Sequence, residues 1–265
     1  MRVQFPRQIT SDLQESACGL VSVVRAPRIC HAAPRSAGTR ESASREAYHG
    51  SDRRFDYDPS VTRSSGPLLL WPRIAYSIFF AVWLPAYWLY YGPQSFLWLC
   101  NTANFLILVG LWTQSRLLMS WQAVGLLAVE AGWIADFAAR LVLGFHPVGG
   151  TEYMFDATIP LGMRSLSLYH AALPPLLLWS VHRLGYDRRA LWWQCGMTWL
   201  LLPISYFCFP ERNLNMVHAP FHRPLVVLPA QAWFAACFAL YPLALYWPVH
   251  LLLARWSAAP LRAVT

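Results

Sequence analysis

From residue 67 onward the chain alternates long apolar runs with short polar breaks, and in the first 66 residues it does neither. The apolar runs fall at Ile74–Tyr91, Phe96–Trp112, Leu117–Ala138, Leu166–Val181, Ala190–Phe209 and Leu228–Leu253. A transmembrane helix needs ~20 apolar residues to cross ~30 Å of hydrocarbon, so the pattern predicts six spans. The fold class it implies is an all-α, polytopic membrane bundle over residues 67–256, followed by a short cytoplasmic tail at 257–265. Trp71, Tyr90, Tyr91, Trp192, Trp193 and Trp256 mark run ends, as interfacial aromatic belts do. Pro85, Pro174, Pro175, Pro203 and Pro242 lie inside runs and predict local kinks.

Residues 1–66 mix Arg, Ser, Pro and acids without sustained period. They cannot bury enough apolar area to offset chain entropy, so a disordered tail is expected. The plainer alternative, a true start codon downstream with the tail never made, stays open. No apolar core follows the basic start, as a signal peptide requires.

Composition sharpens the membrane reading. Of the 265 residues 56% are hydrophobic and 13% charged, with a mean hydropathy of +0.33. Soluble domains carry roughly 25% charged residues. There is no Lys, so the net charge of +8 is an arginine charge, and nearly half of the Arg lie in the tail. No basic stripe interleaves with aromatics, which sets nucleic acid aside as a partner. The arginines instead set orientation. With the N-terminus inside, Arg73, Arg116, Arg183, Arg188, Arg189, Arg255 and Arg262 are cytoplasmic and Arg140, Arg164, Arg212 and Arg223 external. Positive charge stays cytoplasmic on insertion, so both termini are expected inside.

This topology puts the chemistry at the outer face. Cys100, Asn101 and Asn104 fall in the first turns of the second run, Asp136 near the exit of the third, and His170 near the entrance of the fourth. Cys100, Asp136 and His170 come out roughly 6–9 Å below the outer surface at ~1.5 Å per residue. The outer loops add His146, Glu152, Tyr153, Asp156, Arg164, Asn213, Asn215, His218 and His222, whereas the inner side offers little beyond Gln122 and His250. Each has a structural reading beside the functional one. A lone Cys is a packing residue, a His near a helix end is an interfacial group, and Asp136 pairs with Arg140 at i,i+4. Glu130 is the one acid near the midplane, expected in a helix-contact hydrogen bond. The six cysteines form no CxxC pair and no zinc spacing, so neither metal nor cofactor is expected.

Phe96-Leu97-Trp98-Leu99-Cys100-Asn101 resembles the His-x-Cys-Asp helix of the YwaF-like integral membrane proteins, a family with eukaryotic relatives that act as cysteine-dependent acyltransferases. Ser167-Leu168-Tyr169-His170 resembles that family's His-bearing helix, and Asn213-Leu214-Asn215 its Asn-containing segment. Trp98 stands where the family has His, and Asn101 where it has Asp. Thr151–Asp156 and Arg183–Arg189 resemble bacterial inner-membrane proteins of unassigned function. The resemblance implies Cys100 as nucleophile, His170 as general base and Asn213 or Asn215 as orienter or oxyanion donor. Asn101, Asp136, His146, Tyr153 and Arg164 are further candidates around it. The implied partners are membrane lipids and a lipid or acyl substrate entering sideways between helices. A transporter or channel component and a non-catalytic accessory subunit are the alternatives.

Overall fold

In the computed structural model residues 66–220 and 228–258 are described, and all of them fall in one unit, Asp56–Thr265. The expected tail and residues 259–265 therefore lie outside the described residues, as does His222. Among the described residues the secondary structure is helical, with no strand. The long helices are α1 (Leu70–Tyr91), α2 (Leu99–Thr113), α3 (Arg116–Leu143), α5 (Tyr169–Leu184) and α6 (Ala190–Cys208), with a short α4 (Leu161–Leu166) before α5. The last helix, α7, runs Ala230–Leu240, widens to a π-helical stretch Tyr241–Tyr246, and continues as Trp247–Ala258. Each apolar run is thus a helix, but length and composition qualify only Leu70–Tyr91 and Ala230–Ser257 to cross a membrane, with Leu99–Thr113 a shorter apolar helix.

Local chemistry sets the ends. Ser115 caps α3, its Oγ accepting from Leu118 N at 3.3 Å, and satisfies one of the orphan donors of the first turn. Gly144, at φ +80°, ends the same helix in a left-handed conformation that costs glycine nothing. The second apolar run does not start as one helix. Pro93–Leu97 form a 3₁₀ turn, Trp98 is extended, and α2 begins at Leu99. Pro242 falls in the π stretch of α7, while Pro85, Pro174, Pro175 and Pro203 lie within continuous helices.

α3 is the axis of the bundle, packing most extensively on α5 and then on α2 and α6. Small residues permit close approach there. At Gly125 a Cβ would lie 2.5 Å from Gln194 Oε1 of α6, so the α6 side chain rests on the bare α3 backbone. A second anchor is Trp83 of α1, fully buried, with Tyr87, Phe96, Phe105 and Tyr169 rings centred 4.9–6.2 Å from it. These tilted and edge-to-face contacts tie α1 to α2 and α5.

Candidate functional site

The polar contact that joins α3 to α5 in the core is between Glu130 and His170. Glu130 Oε2 lies 2.7 Å from His170 Nδ1, and Glu130 is fully buried. Its Oε1 has no hydrogen-bond partner. The imidazole is sandwiched by aromatic rings, with Tyr169 centred at 4.1 Å and Trp133 at 5.1 Å, so one carboxylate oxygen and two rings fix its plane.

Tyr169 carries the connection onward to α2. Its hydroxyl donates to Asn101 Oδ1 at 2.8 Å, and Asn101 Nδ2 donates to Ser95 O at 2.8 Å. Cys100 lies alongside, its Sγ 4.0 Å from the same Asn101 Oδ1. Cys100 lies in the first turn of α2, which begins at Leu99. Cys100 and His170 thus belong to one cluster but share no hydrogen bond.

The 144–160 loop contributes at two places. Tyr153 accepts from Trp133 Nε1 at 3.1 Å, and burial pushes its phenol well above the ordinary tyrosine range. Beside it the Tyr87 and Ser167 hydroxyls are bonded at 2.8 Å. His146 goes elsewhere: its Nδ1 lies 3.2 Å from Asp136 Oδ2 and 3.1 Å from Thr151 Oγ1. Asp136 also accepts from the backbone N–H groups of Val148 (2.7 Å), Gly149 (3.0 Å) and Thr151 (3.0 Å), and from Thr151 Oγ1 (2.6 Å). Its partner is therefore the loop, not Arg140. Arg140 bonds Gly144 O and lies over the Phe155 ring. Arg164 donates to Met154 O at 3.0 Å, tying the loop to α4.

Asn213 and Asn215 both adopt left-handed backbone conformations, φ +45° and +52°, which asparagine tolerates better than most residues. Asn215 is a staple between elements. Its Oδ1 accepts from Leu99 N at 2.8 Å, capping α2, and its Nδ2 donates to Leu97 O and Ser205 Oγ, each at 2.9 Å. Its backbone carbonyl accepts from Tyr241 OH at 2.8 Å, which fastens the π stretch of α7. Asn213 closes its own loop through Ala219 O, His218 N and Ala219 N.

Two features lay outside the sequence reading. The helix-contact bond expected of Glu130 is made to His170, 40 residues on. The half of the bundle beyond Glu130 is also more polar than Gln122 and His250 alone suggest, with Ser120, Ser180, Gln194 and Thr198 all buried. The i,i+4 spacing of Gln194 and Thr198 on one helix face was the available signal.

No family model, no curated protein and no solved structure matches this chain.

Proposed function

We propose that this chain is a multi-pass membrane protein, with both termini cytoplasmic, that performs cysteine-dependent acyl transfer on membrane lipid. Cys100 is the nucleophile and His170, held by Glu130, is its general base. The observation that carries the reading is the single buried cluster joining Cys100 and Asn101 to the Glu130–His170 pair through Tyr169. A carboxyl group on Nδ1 fixes the tautomer and leaves Nε2, which makes no hydrogen bond among the described residues, as the proton-accepting nitrogen. Cys100 sits in the first turn of α2, where main-chain N–H groups have no intrahelical acceptor.

The membrane reading draws on the surface. Large apolar side chains such as Leu70, Trp71, Leu89, Val142 and Leu200 are exposed, more than a water-facing monomer carries. An apolar groove of about 610 Å³ runs between α1 and α5, lined by Trp71, Tyr76, Phe79, Tyr169, Leu173 and Trp179. It offers an acyl chain a lateral route that ends beside Tyr169.

In the reaction the Cys100 thiol turns from Asn101 toward the imidazole and gives up its proton to Nε2. Sulfur attacks the acyl ester carbonyl, the ester C–O bond breaks, and the proton on His170 passes to the departing oxygen. An acceptor hydroxyl then reverses these steps on the thioester. A second reading, a transporter or channel component, is favoured by one observation: Ser120, Gln122, Glu130 and Asp136 are all buried along α3.

Both halves can be tested in membranes. A tagged long-chain acyl thioester should label the wild-type chain in a hydroxylamine-sensitive manner, lose the label in Cys100→Ala, and label His170→Ala at least ~10²-fold more slowly. Undiminished labelling of Cys100→Ala overturns the acyl-transfer reading. Reporter fusions after Arg189 and Arg262 should read cytoplasmic and one after Phe221 external; the opposite result inverts the topology.

A further inference from the structure

Polar groups that the acyl-transfer reading does not use lie in the other half of the bundle. Gln122 on α3 is fully buried, and neither its Nε2 nor its Oε1 has a hydrogen-bond partner. The same holds for Ser180 Oγ on α5 and for Gln194 Oε1 on α6, both on buried residues.

The helix register brings these atoms to one level. His170 meets Glu130, and Asp187 N donates to Ser120 Oγ at 2.9 Å, so α5 descends as α3 rises. Ser180 therefore lies opposite the Ser120–Val124 stretch of α3. Gln194 lies opposite Gly125, against whose backbone its amide rests. At ~1.5 Å per residue Gln122 is within about one turn of both. The layer continues to α7 by ordinary bonds, Gln194 Nε2 to Thr198 Oγ1 at 3.3 Å and Thr198 Oγ1 to Tyr246 OH at 2.8 Å. Four polar atoms on three helices thus lie at one level of the core without partners among the described residues.

A buried amide with no partner is strongly disfavoured, and such groups in native interiors are satisfied by protein or by ordered water. The set needs an acceptor for Gln122 Nε2 and donors for the two glutamine carbonyls. A metal cation supplies neither to the N–H, and an anion repels the carbonyls, whereas water does both. We infer that Gln122, Ser180 and Gln194 enclose an internal water site between α3, α5 and α6, about two turns along α3 from Glu130. The site does not depend on the acyl-transfer reading.

The test is thermal unfolding of the full chain in detergent or nanodiscs, with Gln122→Met, Gln194→Met and Ser180→Ala made singly and in pairs. Each single change should lower the midpoint by about 2–6 °C. Every pair should fall short of additivity, because the three residues share bound water. A rise in the midpoint on Gln122→Met overturns the inference, since that is what deleting a dry, unpaired amide gives. A fall in which Ser180→Ala is additive with both glutamine changes also overturns it, in favour of a direct Gln122–Gln194 amide pair. So does a midpoint that rises with sodium or potassium over choline, which marks a cation. Where a variant does not fold, high-resolution density of the wild-type chain decides. A solvent peak within hydrogen-bond distance of Gln122 Nε2 and of Ser180 Oγ or Gln194 Oε1 supports the site, and an empty position removes it.

Discussion

Replacing His170 with alanine probes the centre of the bundle most directly. Among the described residues the imidazole is the sole hydrogen-bond partner of a fully buried carboxyl group whose second oxygen has none. Deleting it leaves Glu130 with both oxygens stranded, and removing one member of a buried pair costs about 3–5 kcal/mol. The ring contacts to Tyr169 and Trp133 are lost as well, at about 0.5–1.5 kcal/mol each. Together these give about 4–8 kcal/mol, or a fall in melting temperature of roughly 8–30 °C at ~2–4 °C per kcal/mol. Glu130→Gln should behave quite differently. Its amide can donate to or accept from Nδ1, so the cost is about 1 kcal/mol. The double change His170→Ala/Glu130→Leu removes the stranded carboxyl and should recover at least ~2 kcal/mol over His170→Ala alone. Thermal unfolding followed by tryptophan fluorescence reads all three. A His170→Ala variant no less stable than Glu130→Gln, or a double variant no better than the single, would refute the reasoning.

Asp136→Asn should release the loop, because an amide cannot accept at both oxygens the bonds that Val148, Gly149 and Thr151 donate; exchange protection at those three amides should drop about 10-fold or more. Trp83→Ala empties the hub between α1, α2 and α5 and should cost about 3–5 kcal/mol in unfolding free energy. Asp187 supplies a pH test. Burial opposes its ionisation, but hydrogen bonds from Arg189 N, Nε and Nη2 outweigh it and hold the carboxyl below the usual range. A depressed carboxyl contributes its stability fully above the unfolded value near ~3.9 and loses it as pH falls through the lower folded value. Wild type should therefore exceed Asp187→Asn by about 0.2–1 kcal/mol above ~pH 4, and the gap should close on further acidification.

What could be read from the chain follows the range of the interactions. Apolar runs are a local signal, so each run coincides with helix, whereas α3 continues past the run Leu117–Ala138 to Leu143, where Gly144 ends it. Contacts between distant residues leave no such trace. Asp136 and Arg140 were four apart and chemically matched, yet three backbone N–H groups of a folded-back loop, with Thr151 Oγ1, hold Asp136 more fully than one guanidinium would. Glu130 read as a midplane acid in a helix-contact hydrogen bond, but its partner, His170, lies 40 residues on and could not be named. The break at Trp98 was hidden for a related reason: Phe96 to Cys100 is an unbroken apolar stretch, and the side chain that accepts from Leu99 N at the start of α2 is Asn215, 116 residues away.

That last contact reassigns the two asparagines within the acyl-transfer reading. An oxyanion donor must have an N–H free to meet the charge that develops on the carbonyl oxygen. Asn215 Nδ2 already donates to Leu97 O and Ser205 Oγ, and Asn213 Nδ2 to Ala219 O. Both Asn215 hydrogens are thereby engaged, so it cannot serve without undoing the loop that positions it, and Asn213 is tied into its own loop. The backbone N–H groups of Cys100 and Asn101, in the first turn of α2, have no intrahelical acceptor and are the donors this reading can use instead. The two assignments differ in measurable ways. With main-chain donors, Asn215→Ala acts through α2: losing the Leu99 cap costs about 1–2 kcal/mol of stability, and the acyl label falls only as far as folded protein does. With Asn215 itself as the donor, labelling per folded molecule should fall about 10²–10³-fold. Normalising the label to protein that survives size-exclusion chromatography separates them, and a 10²-fold loss there would return the role to Asn215.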